Sequence, residues 1–408
     1  MNELIHFKTK LLVNGLNCDF KKIKENFKNL DKYKVNFIKI SDRHFITPKH
    51  ENRNFIPDEL ILSDGHKKSV VKVYYVPKAK LVLTAQNKQL IIKNISGTIW
   101  PIKIEMVPRP KYYNETYKNL RLNEFVSIVG VDRVSIIPFD GCEHWFTGRP
   151  CKFCGGNPSR LGFNDNKPNI GQVNKIGVYE HWWNINSNFV KKHIAKSLER
   201  MLKLSPPKPH FHLMVMSGSL SGSFEWKIIF DCLPTIKKLV DLENIDSYLI
   251  NMPPKDFREI DKAKKAGFKN ICYNLECYSK KYFQIVCPGK TKLVGYERAI
   301  KALEYSVKVF GKGHVRTNFV LGAEPISETL KGVKKLAKKG IVSDYSVFFP
   351  RPGSEWSRRK PPKEKEIINF TQELIKTYRK YGYHPFACRL SSRSSIASEV
   401  FEDESSND

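Results

Sequence analysis

The sequence has no continuous apolar run approaching the roughly 20 residues that a membrane span needs. Its first residues, Met1-Asn2-Glu3-Leu4-Ile5-His6-Phe7, lack the charged-then-apolar pattern of a secretory leader. These absences set a membrane aside and make the cytoplasm the expected location. Only one CxxC pair occurs, Cys151-Lys152-Phe153-Cys154. A zinc ribbon ordinarily brings two, which counts against that reading. Without a leader, nine cysteines in 408 residues read as thiols or metal ligands rather than disulfides. No internal repeat and no cobalamin-binding signature is found. Acid is scarce beside base, 41 residues against 70, leaving a formal charge of +29. Two accounts of that charge stay open. Codon bias in an AT-rich genome fills solvated faces with lysine, or the partner is anionic, such as RNA or a phosphorylated metabolite.

What is present is ample for a folded protein: 41% hydrophobic and 27% charged residues in a chain long enough for two or three domains. Residues 1–125 read as a β-rich unit, with Val-, Ile- and Tyr-rich runs at Lys68–Pro77, Lys80–Ala85, Gln89–Ile95 and Thr98–Met106. A helix is expected over Asp19–Leu30, and Val107-Pro108-Arg109-Pro110 reads as a linker. From about residue 131 strands alternate with amphipathic helices. The strands are Arg133–Phe139, His210–Met216, Ser247–Asn251, Asn270–Leu275, Val315–Leu321 and Asp344–Phe349. Helical spacing marks Phe189–Lys203, Glu225–Leu239, Lys255–Ala266, Val294–Phe310 and Ser327–Lys339. The fold class is therefore α/β, a partial (β/α)6 TIM-like barrel over residues 126–360, since six units fall short of a closed eight. A carboxyl-terminal helix and cap follow over 361–400, then an acidic tail, 401–408, expected to be disordered.

Chemistry concentrates in the run Gly141-Cys142-Glu143-His144-Trp145-Phe146-Thr147-Gly148-Arg149-Pro150-Cys151-Lys152-Phe153-Cys154, just after the first barrel strand. Sites in parallel α/β folds form at the carboxyl ends of strands, where this loop stands. Cys142, Cys151 and Cys154 can ligate three irons of a [4Fe-4S] cluster and leave the fourth iron open. The same cysteines with His144 could instead hold a structural zinc.

The loop and the repeating units behind it resemble the radical S-adenosylmethionine superfamily over roughly residues 131–356. The last cysteine interval and Phe153 fit the family motif, while the first interval holds eight residues instead of three. The run from His144 to Gly156 is similar to the cluster loop of the Elongator catalytic subunit, without an acetyltransferase signature elsewhere. The resemblance implies cofactors, a [4Fe-4S] cluster and S-adenosyl-L-methionine, and a reductant such as flavodoxin or ferredoxin. It also implies cofactor contacts from Phe153, from Ser217, Gly218 and Ser219 after the second strand, from Glu276 after the fourth, and from Arg316 and Gly322 of the fifth. Glu276 reads equally as a carboxylate paired with a core arginine, and Arg316 as a structural cation rather than a clamp for the methionine carboxylate. Cys388 is a candidate hydrogen-atom donor, or a buried small hydrophobe. His181-Trp182-Trp183 line a substrate pocket or belong to the core.

The expected function is a radical enzyme that cleaves S-adenosylmethionine reductively and abstracts hydrogen from a small-molecule substrate. Two alternatives remain: a radical enzyme that modifies tRNA, and a non-catalytic zinc-containing RNA-binding protein.

Overall fold

The computed structural model describes residues 2–38, 54–155, 177–206, 211–386 and 388–405. His210, expected to open the second barrel strand, and residues 406–408 of the expected tail lie outside these.

The main sheet has seven strands whose order in space is their order along the chain. They are β1 (Val126–Val129), β2 (Arg133–Ile136), β3 (His212–Met216), β4 (Asp246–Ile250), β5 (Asn270–Cys272), β6 (Val315–Leu321) and β7 (Ile341–Val347). Strands β2 to β7 run parallel, with Arg133 opposite His212, His212 opposite Asp246, and Cys272 opposite Arg316. Strand β1 adds an antiparallel edge against β2. Nearly every residue of the parallel strands is buried, because helices cover one face and side chains fill the other. The sheet curls but stays open, a half-barrel.

The helices are α1 (Gly177–Leu204), α2 (Phe224–Lys237), α3 (Arg258–Lys265), α4 (Lys280–Val286), α5 (Pro288–Leu293), α6 (Tyr296–Phe310), α7 (Ile326–Lys338), α8 (Glu364–Tyr381) and α9 (Ala397–Ser405). Apolar spacing sets which face each one buries: α6 turns Ala299, Ala302, Leu303, Ser306 and Phe310 inward. Gly311, at φ 94°, then ends that helix. His181-Trp182-Trp183 lie in α1 rather than in a loop. Trp183 is buried and donates its indole N–H to Asp231 at 2.8 Å, which places it in the core.

Before the half-barrel, strands Asn17–Cys18, Leu81–Gln86, Gln89–Asn94, Lys103–Met106, Glu59–Ser63 and Lys68–Lys72 form a six-stranded sheet in that spatial order. A helix over Glu3–Asn14, which apolar spacing had not disclosed, is capped by Asn2, whose side chain accepts from the Ile5 amide at 3.1 Å. The helix expected over Asp19–Leu30 is shorter, Phe20–Asn26, with a separate turn at Leu30–Lys32. Residues 107–110 are no loose linker: the Lys34 amide donates to Val107 at 2.9 Å and the Arg109 amide to Lys32 at 2.8 Å.

Two buried ion clusters tie this unit to the half-barrel. Lys34 Nζ reaches Glu59 at 2.7 Å and the carbonyls of Ile128 and Gly130, while Arg393 grips Asp58 and Glu59. Lys8, fully buried, donates to Glu399 at 2.8 Å and to the Ser392 carbonyl at 2.8 Å, and Ser69 donates to the same carboxylate at 2.6 Å. Glu399 belongs to α9, which runs through Ser405 and so replaces the start of the expected disordered tail with helix.

Candidate functional site: the cysteine loop at the carboxyl ends of the strands

Past β2 the chain crosses Phe139 and Gly141 to Cys142, makes one helical turn over Glu143–Phe146, and continues to Cys151 and Cys154. Three sets of contacts hold it over the strand ends. Toward β3, the Gly218 amide donates to Phe139 at 2.8 Å, the Glu143 amide to Ser219 at 2.8 Å, and the Ser221 amide to the Glu143 carboxylate at 2.7 Å. Here the two backbones touch, since a Cβ on Gly218 would stand 1.4 Å from the Gly141 carbonyl oxygen. Toward α4 and α5, the Lys152 amide donates to Val286 at 2.9 Å and the Gly289 amide to Arg149 at 3.1 Å. Toward the exit of β7, the Trp356 amide donates to Lys152 at 3.0 Å and Lys152 Nζ meets Glu355 at 2.8 Å.

The three loop cysteines share one electrostatic neighbourhood. Burial pushes the Cys142 thiol up to about 11; Cys151 and Cys154 add to the rise, and the His144 and Trp145 backbone N–H groups offset part of it. Cys151 goes the other way: a hydrogen bond from Cys287 and the Lys290 charge hold it below the ordinary thiol range, against burial. His144 is 2% exposed and neither ring nitrogen has a hydrogen-bond partner. Burial, then Lys290, lowers it to about 4, so the imidazole is neutral near pH 7. Among the described residues, no three His, Cys, Asp or Glu side chains gather tightly enough to hold a single metal ion. A cubane makes no such demand, because each cysteine takes its own iron. Three neighbouring thiols on one loop, an adjoining ammonium and an orphaned buried imidazole fit such an anionic, acceptor-rich group.

Sequence reasoning missed Lys290. Its Nζ donates to Glu276 at 2.6 Å and to the Asn274 carbonyl at 2.9 Å. Burial alone would lower it, but Glu276, Cys151 and Cys287 hold the ammonium above its ordinary range. Lysine, not a core arginine, therefore pairs Glu276. That glutamate is 9% exposed with φ 63°, a left-handed conformation that non-glycine residues rarely adopt and that concentrates at functional sites. The only signal for Lys290 in the sequence would have been a lone lysine after Pro288-Gly289.

Other expected residues separate into two groups. Ser217 donates to the Phe139 carbonyl at 3.3 Å, and half-buried Phe153 packs on the core, so both stay with the loop. Gly322 follows β6, its carbonyl taken by Arg359 at 2.7 Å. Arg316 stands near the opposite, amino end of β6. Its Nε and Nη2 fork is taken by Asp344 at 2.7 and 2.8 Å, and Nη2 also donates to the His384 carbonyl at 3.0 Å, which removes that fork from the methionine-clamp role. Cys388 belongs to that end too, among Arg133, Asp132, Asp246 and Arg316, 2% exposed and raised by burial to about 12. A hydrogen-atom donor would have to face the loop end; Cys388 does not.

No family model matches this sequence. The bacteriochlorophyllide c C-7(1)-hydroxylase of Chlorobaculum limnaeum is 27% identical over 265 residues. The match covers 62% of this chain, and the chain spans 62% of the length of that relative. Among solved structures, a radical SAM methyltransferase from Sphaerobacter thermophilus superposes with TM-score 0.42 at 11% identity, covering 79% of this chain and 82% of its own. The hydrogenase maturase HydG from Carboxydothermus hydrogenoformans gives 0.41 at 12% identity, over 61% and 52%. These structural likenesses are loose, and the fold rests on the strand order and register described above.

Proposed function

We propose that this chain, which has the cysteine loop and half-barrel of the radical S-adenosylmethionine superfamily, is an enzyme that binds a [4Fe-4S] cluster and S-adenosylmethionine. Cys142, Cys151 and Cys154 hold the cluster. When bound there, it supplies the electron for reductive cleavage of S-adenosylmethionine, the source of the radical chemistry. The residues of the pocket bind and orient. Lys290 and Glu276 offer one charge of each sign beside the loop, suited to the carboxylate and ammonium of a methionine end. Ser217, Gly218, Ser219, Phe153 and Gly322 line the carboxyl ends of the strands as further cofactor contacts.

The observation that carries this reading is the gathering of three loop cysteines against a buried lysine–glutamate pair at the strand ends. The substrate is a small molecule from which hydrogen is abstracted, a reading supported by the hydroxylase relative's name. A reductant protein such as flavodoxin or ferredoxin delivers the electron. No helix among the described residues is long and apolar enough to cross a membrane. The charge of +29 favours tRNA as a second reading for the substrate.

Anaerobic reconstitution with iron and sulfide tests the proposal. Wild type is expected to turn brown and release 5′-deoxyadenosine from S-adenosylmethionine, and C151A or C154A to lose both. One zinc, no iron and no 5′-deoxyadenosine would return the chain to the zinc reading. Co-purifying RNA whose binding weakens steeply with salt would select tRNA over a small molecule.

A further inference from the structure

Alternation along the strands separates the two faces of the main sheet. Tyr273 meets Trp226 of α2 with ring centroids 6.4 Å apart, and the Tyr345 hydroxyl bonds Thr371 of α8 at 2.6 Å, so these positions face the helices. The alternate positions face the hollow of the half-barrel. At its amino end the hollow is closed by Phe386. Its ring lies 5.5 Å from that of His212 and 5.1 Å from that of Tyr248, with the Arg316 guanidinium 4.2 Å from its centroid. Tyr248, Cys272 and Arg316 are buried in that layer. Toward the carboxyl ends the same face opens. Met216, Ile250, Asn318 and Ser346 are half-buried at inward positions of β3, β4, β6 and β7, whereas the residue before each is buried. Asn274, just past β5, is half-buried too, and the Cys272 thiol donates to its Oδ1 at 3.2 Å, which keeps that side chain on the inward side. The Asn274 carbonyl accepts from Lys290 at 2.9 Å, so this floor lies beside the lysine–glutamate pair.

No side chain of the floor is charged, and the ion pairs next to it are matched: Lys290 with Glu276 at the rim, Arg316 with Asp344 below. An anionic group brought onto such a floor would lose its water and gain no counter-charge. Polarity is divided across the floor. The β3 and β4 side is apolar, Met216 and Ile250, and the other side is polar. Each polar member has one hydrogen-bonding group committed and another open among the described residues. Asn274 Oδ1 takes the Cys272 thiol, which leaves Nδ2 to donate. Asn318 Nδ2 donates to the Phe319 carbonyl at 3.2 Å, which leaves Oδ1 to accept. Ser346 Oγ accepts from Ser394 at 3.2 Å, which leaves its own hydrogen to donate. We propose that this floor receives the reacting part of the substrate and selects an uncharged amide or lactam edge. The substrate carbonyl accepts from Asn274 or Ser346, its N–H donates to Asn318, and its apolar edge lies on Met216 and Ile250. Assignment of the hollow to a substrate rests on the radical-enzyme reading above.

The test uses two probes of one shape, cyclohexanecarboxamide and cyclohexanecarboxylate. Each is titrated by saturation-transfer NMR into anaerobically reconstituted protein saturated with S-adenosylhomocysteine, which fills the cofactor site without being cleaved. Wild type is expected to bind the amide about tenfold more tightly than the carboxylate, and N318L or S346A to lose about tenfold in amide affinity. Circular dichroism checks the fold of each variant, and S346A carries the test if N318L does not fold. Loss in either folded variant supports the assignment. Four results overturn it: a carboxylate bound as tightly as the amide, no binding of either probe, wild-type amide affinity in the folded variants, or displacement of the amide by S-adenosylhomocysteine, which would give the floor to the cofactor. Iron content and 5′-deoxyadenosine release are read on the same preparations. An amide preference without iron or cleavage removes the radical reading and leaves the floor's selectivity standing, so the two failures stay distinct.

Discussion

Glu225 opens α2 with its side chain 1% exposed, and Oε2 has no hydrogen-bond partner. Burial pushes this acid from its ordinary 4.5 up to about 8, against the N–H groups of Leu220 and its own residue. Between those values the folded chain holds a proton that the unfolded chain has released. The contribution to stability is therefore whole below about pH 4.5 and is lost as pH rises toward 8. E225Q should remove the dependence: its stability relative to wild type, read by urea unfolding, should climb by about 1.4 kcal/mol per pH unit across that window. Parallel profiles for the two proteins would refute it. At this scale the sequence was partly legible. The grouping of Cys142, Cys151 and Cys154 on one loop is visible from spacing alone, and the fold sets that loop after β2 at the strand ends. Lys290 and Glu225 do not stand out, because their surroundings come from neighbours that only the folded chain supplies. Arg316 misled for the same reason: a guanidinium suits any carboxylate, and Asp344 on the adjacent strand takes it.

Among elements, the parallel strands were read closely because their long apolar runs are characteristic of sheets buried on both faces. The paired short helices α4 and α5 escaped notice. Pro288-Gly289 interrupts the apolar spacing, and each is too short for a stripe to repeat. The contact between the β3 exit and the cysteine loop leaves no space for a side chain. Adding one methyl group in G218A places carbon 1.4 Å from the Gly141 oxygen, so one backbone must move. The expected result is a folded protein, by circular dichroism, whose iron content after reconstitution falls at least severalfold. Wild-type iron content in G218A would mean that the loop holds its ligands without this contact.

For the whole molecule, a continuous apolar core and buried ion pairs cross the seam between the amino-terminal unit and the half-barrel. Lys8 and Glu399 have side chains 0% and 3% exposed, 2.8 Å apart. Removing one partner strands the other without water or counter-charge. K8M should therefore cost about 3–5 kcal/mol, read as a lowered thermal midpoint, with early protease cleavage around α9. Unchanged melting would show that the pair contributes little. Nothing in the sequence announced this pairing, since hundreds of residues separate its members and each alone reads as a surface charge.

The same pair has a consequence for biosynthesis. A ribosome makes Lys8 391 residues before Glu399, so the ammonium on the helix Glu3–Asn14 stays without this partner while the half-barrel between them is synthesised. The pair can form only once the segment bearing Glu399 has been made, so this part of the seam closes after every strand of the half-barrel has been synthesised.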